Sequence, residues 1–141
     1  MKIKIKKLNE EAKIPSYVHF DDAGMDLYTV ADVLIRVGER VQVPTGLAME
    51  LPVGYVGLIW DKSGLSHKHG LKTLGGVIDS GYRGEILIGM INLGKEEYRI
   101  EKGHKVAQMI IQEKVSVEFE EVAELDESSE RGIGGIGSSG K

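Results

Sequence analysis

Lysine and isoleucine alternate through MKIKIKK at the N-terminus, and the same period of two recurs along the chain. That period puts successive side chains on opposite faces of an extended segment, whereas a helix needs apolar positions every three or four residues. The segments that carry the alternation, or a short run rich in Val and Ile, are residues 2–5, 33–37, 40–51, 55–60, 85–93, 105–112 and 115–119. Turn residues separate them about every ten positions, so the pattern predicts an all-β chain of many short strands. Only SGLSHKHG, residues 63–70, reads as a short helix, with Gly70 in the usual C-terminal capping place.

Composition narrows this picture. The 141 residues suffice for one domain with a core of its own. There is no cysteine, which excludes disulfides and thiolate metal sites and fits a reducing compartment. No apolar run is long enough for a signal peptide or a membrane span, so the expected location is the cytoplasm, with no membrane partner. A formal charge of −4 lacks the basic excess of a nucleic-acid binder. His67 and His69 lie two apart, on different faces of the predicted helix; with His19 and His104 they are expected at the surface rather than in a zinc site.

The C-terminus divides in two. Between Glu118 and Glu130 there are seven acids and no base, a self-repelling stretch that predicts a solvated linker over 120–130 after a β core over 1–119. The last segment, RGIGGIGSSGK at 131–141, has the spacing of a phosphate-binding loop from Gly135 to Lys141, yet no helix follows to supply aligned N–H groups. A solvated glycine-serine tail is the alternative.

Five stretches are too rich in Gly, Asp, Ser and Arg for ordinary strand connections: AGMDLY (23–28), DKSGLS (61–66), GGVIDSGYRGEI (75–86), KGHKVAQMI (102–110) and RGIGGIGSSG (131–140). Taken alone, each has an ordinary explanation. Asp79 can hydrogen-bond its turn or act as a general base toward a water. Ser63 can cap the helix, bind an anion, or both. Tyr82 can pack in the core or against a ligand. Gln108 can be the solvent-facing residue of an alternating strand. GGVIDSGYRGEI suits a hairpin that enters at Val77 and Ile78, turns at Ser80 and Gly81 and leaves at Tyr82.

In this order the five stretches resemble the motifs of the trimeric dUTP pyrophosphatases, the dUTPases, across essentially the whole chain. The resemblance implies a jelly-roll-like β-sandwich, a homotrimer with shared sites, and Mg²⁺-dependent hydrolysis of dUTP to dUMP and pyrophosphate by water attack on the α-phosphorus. It implies that Asp79 activates the water, while the backbone around Thr73, Gly76, Val77 and Ile78 reads uracil and Tyr82 lies against the deoxyribose. Lys62, Ser63, Gly64 and Gln108 would meet the phosphates, Lys62 standing where the family commonly has Arg. Asp26 would hold waters of the Mg²⁺. Arg131, Ile136, Gly137 and Ser138 belong to an arm that closes over the nucleotide, with Ile136 where relatives usually carry an aromatic. A dCTP deaminase of the same fold and a non-catalytic nucleotide-binding module are the competing readings, and the joint presence of Asp79, Gln108 and Arg131 favours hydrolysis.

Overall fold

The computed structural model describes residues 1–140. Eleven strands and one helix follow the chain as β1 (Lys4–Lys7), β2 (Met25–Tyr28), β3 (Val33–Ile35), β4 (Arg40–Pro44), β5 (Leu47–Glu50), β6 (Tyr55–Trp60), α1 (Ser63–His69), β7 (Leu71–Leu74), β8 (Val77–Asp79), β9 (Leu87–Asn92), β10 (Tyr98–Ile100) and β11 (Lys105–Glu113). Every strand pairing among them is antiparallel. The result is a jelly-roll-like all-β fold.

Two sheets hold most of the core: one ordered β2-β11-β6-β8 and one ordered β4-β9-β7. Alternation decides which side chains meet. Leu27, Ile59, Val106 and Met109 from the first sheet are buried with Val43, Leu71, Ile88 and Met90 from the second. In β9 the buried positions are Ile88, Met90 and Asn92, every second residue, with Val43 opposite Ile88 and Val41 opposite Met90 on β4. Two-stranded pairs, β1 with β5 and β3 with β10, complete the layers. Buried Asn92 closes the turn that follows β9: its amide donates to the carbonyls of Ile35 and Glu96, and its Oδ1 accepts from the Gly94 N–H.

The predicted helix is present at Ser63–His69, and Gly70 follows it in the left-handed region with φ 71°. Three expectations change. The segment 40–51 is two strands, because the chain turns at Thr45 and Gly46, where the Thr45 hydroxyl donates to the Ile86 carbonyl. No hairpin forms over 75–86: β7 and β8 belong to different sheets, β8 pairs with β6, and residues 82–86 are not a strand. Residues 115–119 form no strand either. Val115, Val117 and Phe119 are exposed, and the segment pairs with no strand of its own chain.

Gly70 generates a direct test. A Cβ there would lie 2.6 Å from the Gly94 nitrogen, in a backbone conformation that L-residues seldom adopt. Gly70→Ala is expected to destabilise the fold by more than about 1 kcal/mol, read from the midpoint of urea unfolding.

Candidate active site

A row of side chains crosses the larger sheet. Gln108 on β11 stands opposite Asp26 on β2 and opposite Trp60 on β6, and cross-strand partners share a face. Lys105 joins this face through a bulge: the register slips between Lys105 and Ala107, so Lys105 pairs with Tyr28 although it lies three residues from Gln108. Simple alternation would place Lys105 on the opposite face, and for that reason the sequence reading missed it.

Asp26 is buried, at 1% exposure. Lys62 Nζ donates to its Oδ1 at 2.6 Å, and Lys105 Nζ lies 2.7 Å from its Oδ2. The second contact is a close ion pair rather than a well-directed hydrogen bond, and it leaves Oδ2 without a directed donor. Burial alone pushes the Asp26 carboxyl up, but contacts with Lys105 and Lys62 outweigh it and hold the group below the usual carboxylate range. The Lys105 ammonium is raised in turn by Asp26. Two ammonium groups against one carboxylate leave the cluster positive. It borders a shallow cavity of about 290 Å³ lined by Lys62, Gly64, Leu65, Lys68, His69 and Lys105, a surface suited to an anion.

The link from β6 to α1 carries the next contacts. Asp61 Oδ1 accepts from the Thr73 N–H and the Thr73 hydroxyl, both at 2.7 Å, and Lys72 lies 3.0 Å from Oδ2. Burial raises the Asp61 carboxyl, yet the donors of Thr73 and Lys72 bring it below its ordinary value. The Asp61 carbonyl accepts from Gln108 Nε2 at 2.8 Å. Ser63 does not cap the helix: Lys62 occupies the N-cap without a side-chain bond, and the Ser63 and Gly64 residues are exposed. Thr73 departs from its expected part in base reading, since it is buried with both N–H and hydroxyl held by Asp61.

Asp79, Val77 and Tyr82 are exposed on and just after β8, an outer strand of the larger sheet. Gly76 accepts from the Ile59 N–H, and this fixes the ladder phase: Ile78 faces Gly57 as a hydrogen-bonded pair, and Val77 turns its N–H and C=O outward. The Tyr82 hydroxyl donates to the Glu85 carbonyl at 2.8 Å.

One chain does not assemble all the expected residues. Asp79 pairs with Val56 at one end of β6, whereas the Gln108 row crosses Trp60 at the other, four residues or about 14 Å along the strand. In the arm, Ile136 is fully exposed and Arg131 donates to the carbonyls of Gly134 and Gly135 within its own turn. Among the described residues, His19, His67, His69 and His104 are exposed, and no group of three or more His, Cys, Asp or Glu could hold a metal ion by itself. Among the described residues, no helix is long and apolar enough to cross a membrane.

A family model described as dUTPase matches residues 10–140. A protein named deoxyuridine 5'-triphosphate nucleotidohydrolase from Nautilia profundicola is 49% identical, with all of both chains covered. A protein of the same name from Clostridium tetani is 48% identical over 99% of this chain and 97% of its own. Among solved structures, the Staphylococcus bacteriophage 80alpha dUTPase with dUPNHPP superposes with a TM-score of 0.93 at 32% identity, covering 99% of each chain. A variant dUTPase from phage phi11 of S. aureus, described with a structural Mg(II) ion, gives a TM-score of 0.82 at 28% identity over 88% of this chain and 98% of its own.

Gly24 packs directly on the Gln108 amide: a Cβ there would lie 2.4 Å from Gln108 Oε1. Because the struck atom ends a flexible side chain, Gly24→Ala is expected to cost only about 1 kcal/mol of stability while breaking the Gln108–Asp61 hydrogen bond. The Gln108 side-chain amide signals in an NMR spectrum should shift; signals that stay in place would mean that β2 yields instead.

Proposed function

The chain belongs to the dUTPase family, and from that membership we propose how its own residues hydrolyse dUTP to dUMP and pyrophosphate. The observation that carries the proposal is the cluster in which Lys62, Lys105 and Gln108 gather around buried Asp26, next to an anion-sized cavity. The β- and γ-phosphates lie against Lys62, Lys105, Ser63, Gly64 and Gln108. Lys62 supplies charge without the two-pronged geometry of an arginine, and Lys105 supplies a second cation beside it. Uracil presents one donor, N3–H, flanked by carbonyl acceptors. The outward N–H and C=O of Val77 complement that pattern, and the exposed Tyr82 ring next to them is available to the sugar.

Asp79 accepts a proton from water as the water oxygen attacks the α-phosphorus. The bond from that phosphorus to the bridging oxygen breaks, and the charge that gathers on the leaving pyrophosphate is met by the lysines, Gln108 and Arg131. Mg²⁺ suits the site only through water: Asp26 is the sole buried carboxylate of the cluster, with one oxygen lacking a directed donor, so the direct ligands must come from the phosphates. When bound, the ion would neutralise triphosphate charge.

The separation of about 14 Å along β6 between Asp79 and the Gln108 row exceeds what one triphosphate bridges from α- to γ-phosphorus. It supports a site shared between copies, one chain providing the phosphate cluster and another providing Asp79 and β8, and the homotrimer is carried over from the family resemblance. The arm, Arg131 to Ser138, is tied to nothing outside its own turns and comes from whichever chain its acidic linker can span. Ile136 covers the base without aromatic stacking. The place of action is the cytoplasm.

Asp79→Asn keeps the shape of the base but cannot accept the proton, so turnover of dUTP should fall at least ~10²-fold while nucleotide binding persists. Near-normal turnover would exclude this role.

Sharing between chains has its own measurement. Full-length Asp79→Asn and a chain cut after Glu130 should each be inactive. Refolded together in equal amounts, they should recover about a quarter of the sites if Asp79 and the arm come from different chains. Inactive mixed trimers, verified by mass, would place both on one chain.

A further inference from the structure

The link between β6 and α1 is held by one residue that faces both of its neighbours. Asp61 binds β7 through its carboxylate, with Thr73 N–H and Oγ1 at 2.7 Å and Lys72 Nζ at 3.0 Å, and binds β11 through its carbonyl, with Gln108 Nε2 at 2.8 Å. Among the described residues, no other residue of the link is hydrogen-bonded to both strands. The Thr73 N–H is buried, so removal of its acceptor leaves a donor without water and obliges the backbone to move. The next residues are Lys62 and Ser63. A shift at Asp61 is therefore passed directly to the Lys62 ammonium, whose partner Asp26 sits on a different strand. Gln108 depends on the same residue: an amide nitrogen carries two N–H groups, and the one given to the Asp61 carbonyl sets the direction of the other.

We propose that Asp61 is a positioning residue for the phosphate end of the site, anchoring the Lys62–Ser63 link to β7 and orienting the Gln108 amide, without touching substrate itself. The proposal rests on the assignment of phosphate binding to Lys62, Ser63 and Gln108. It also predicts selectivity. β8 is held to β6 by its own backbone ladder, from Val56–Asp79 to Leu58–Val77, so the edge that meets the base does not depend on the Asp61 carboxylate. Loss of Asp61 should weaken the grip on phosphates and spare the grip on the nucleoside.

The test compares the full-length protein with Asp61→Ala and Asp61→Asn by calorimetric titration with inorganic pyrophosphate and, separately, with deoxyuridine, alongside dUTP turnover. Asp61→Ala should bind pyrophosphate at least ~10-fold more weakly, with deoxyuridine binding within about 2-fold of the parent, the loss expected when a charge-assisted contact is misplaced. Asp61→Asn keeps an oxygen that accepts from the Thr73 N–H and should recover pyrophosphate binding to within about 3-fold of the parent. Should Asp61→Ala fail to fold, Thr73→Val keeps the backbone N–H, removes only the hydroxyl contact, and should show the same selective loss at smaller size. The proposal is overturned if pyrophosphate binding is unchanged in the variant that folds, if both ligands weaken together, or if Asp61→Asn gives no recovery. A parent protein that does not hydrolyse dUTP would count against the functional assignment instead, since the comparison of pyrophosphate affinities does not depend on turnover.

Discussion

A carboxylate taken out of water must be matched by positive charge or it costs several kcal/mol, and Asp26 is matched twice. Three separate parts of the chain are committed by that requirement. β2 brings the carboxylate, the link after β6 brings Lys62, and the bulged start of β11 brings Lys105. The sheet order places β11 between β2 and β6, so the pairing of these strands and the neutralisation of Asp26 enforce one another. A slip of one residue in β11 would turn Gln108 away and bury it, while Met109 would leave the core. Chemistry and packing are fixed by the same register.

The balance of charge also has a sign in pH. Asp26 and Asp61 both have carboxyls held below their ordinary values in the folded chain. Their stabilisation is present above the unfolded carboxylate range, near pH 4, and is lost as pH falls through the lowered folded values. Near neutral pH both carboxylates keep their partners and the lysine cluster is fully formed. Its excess charge is positive, while the chain as a whole carries −4. The attraction for a polyanion is therefore local, and the acidic linker that leads to the arm does not occupy it, since among the described residues its hydrogen bonds reach no farther than Gly132 of the arm.

Most of this architecture could be read from the residues, and the failures have physical causes. Alternation located the longer strands, and Gly70 marked the end of α1 because few other residues tolerate its φ. Strands of three or four residues, β2, β7 and β10, are too short for a period to declare itself and emerge only from their partners. The VSVEF segment shows the converse: its pattern is that of a strand, but a strand needs a partner, and this segment pairs with none in its own chain. At the site, Asp26, Lys62 and Gln108 were legible and do converge, whereas Lys105 was hidden by the bulge. The service of Thr73 to Asp61 was equally hidden, because a hydrogen bond across 12 residues leaves no local trace. For Asp79 and the arm, the sequence named residues that a single chain keeps apart.

β8 is an outer strand with unpaired backbone groups and an exposed Val77, the combination that in other proteins invites one chain to stick to the next. Here it is three residues long, with Gly75 and Gly76 before it and a turn at Ser80 and Gly81 after it. A segment that short offers too few rungs for a foreign strand to zip onto, and the glycines before it and the turn after it end the ladder on both sides. The edge is limited by brevity rather than covered with lysine or proline, and its backbone groups stay open to small molecules.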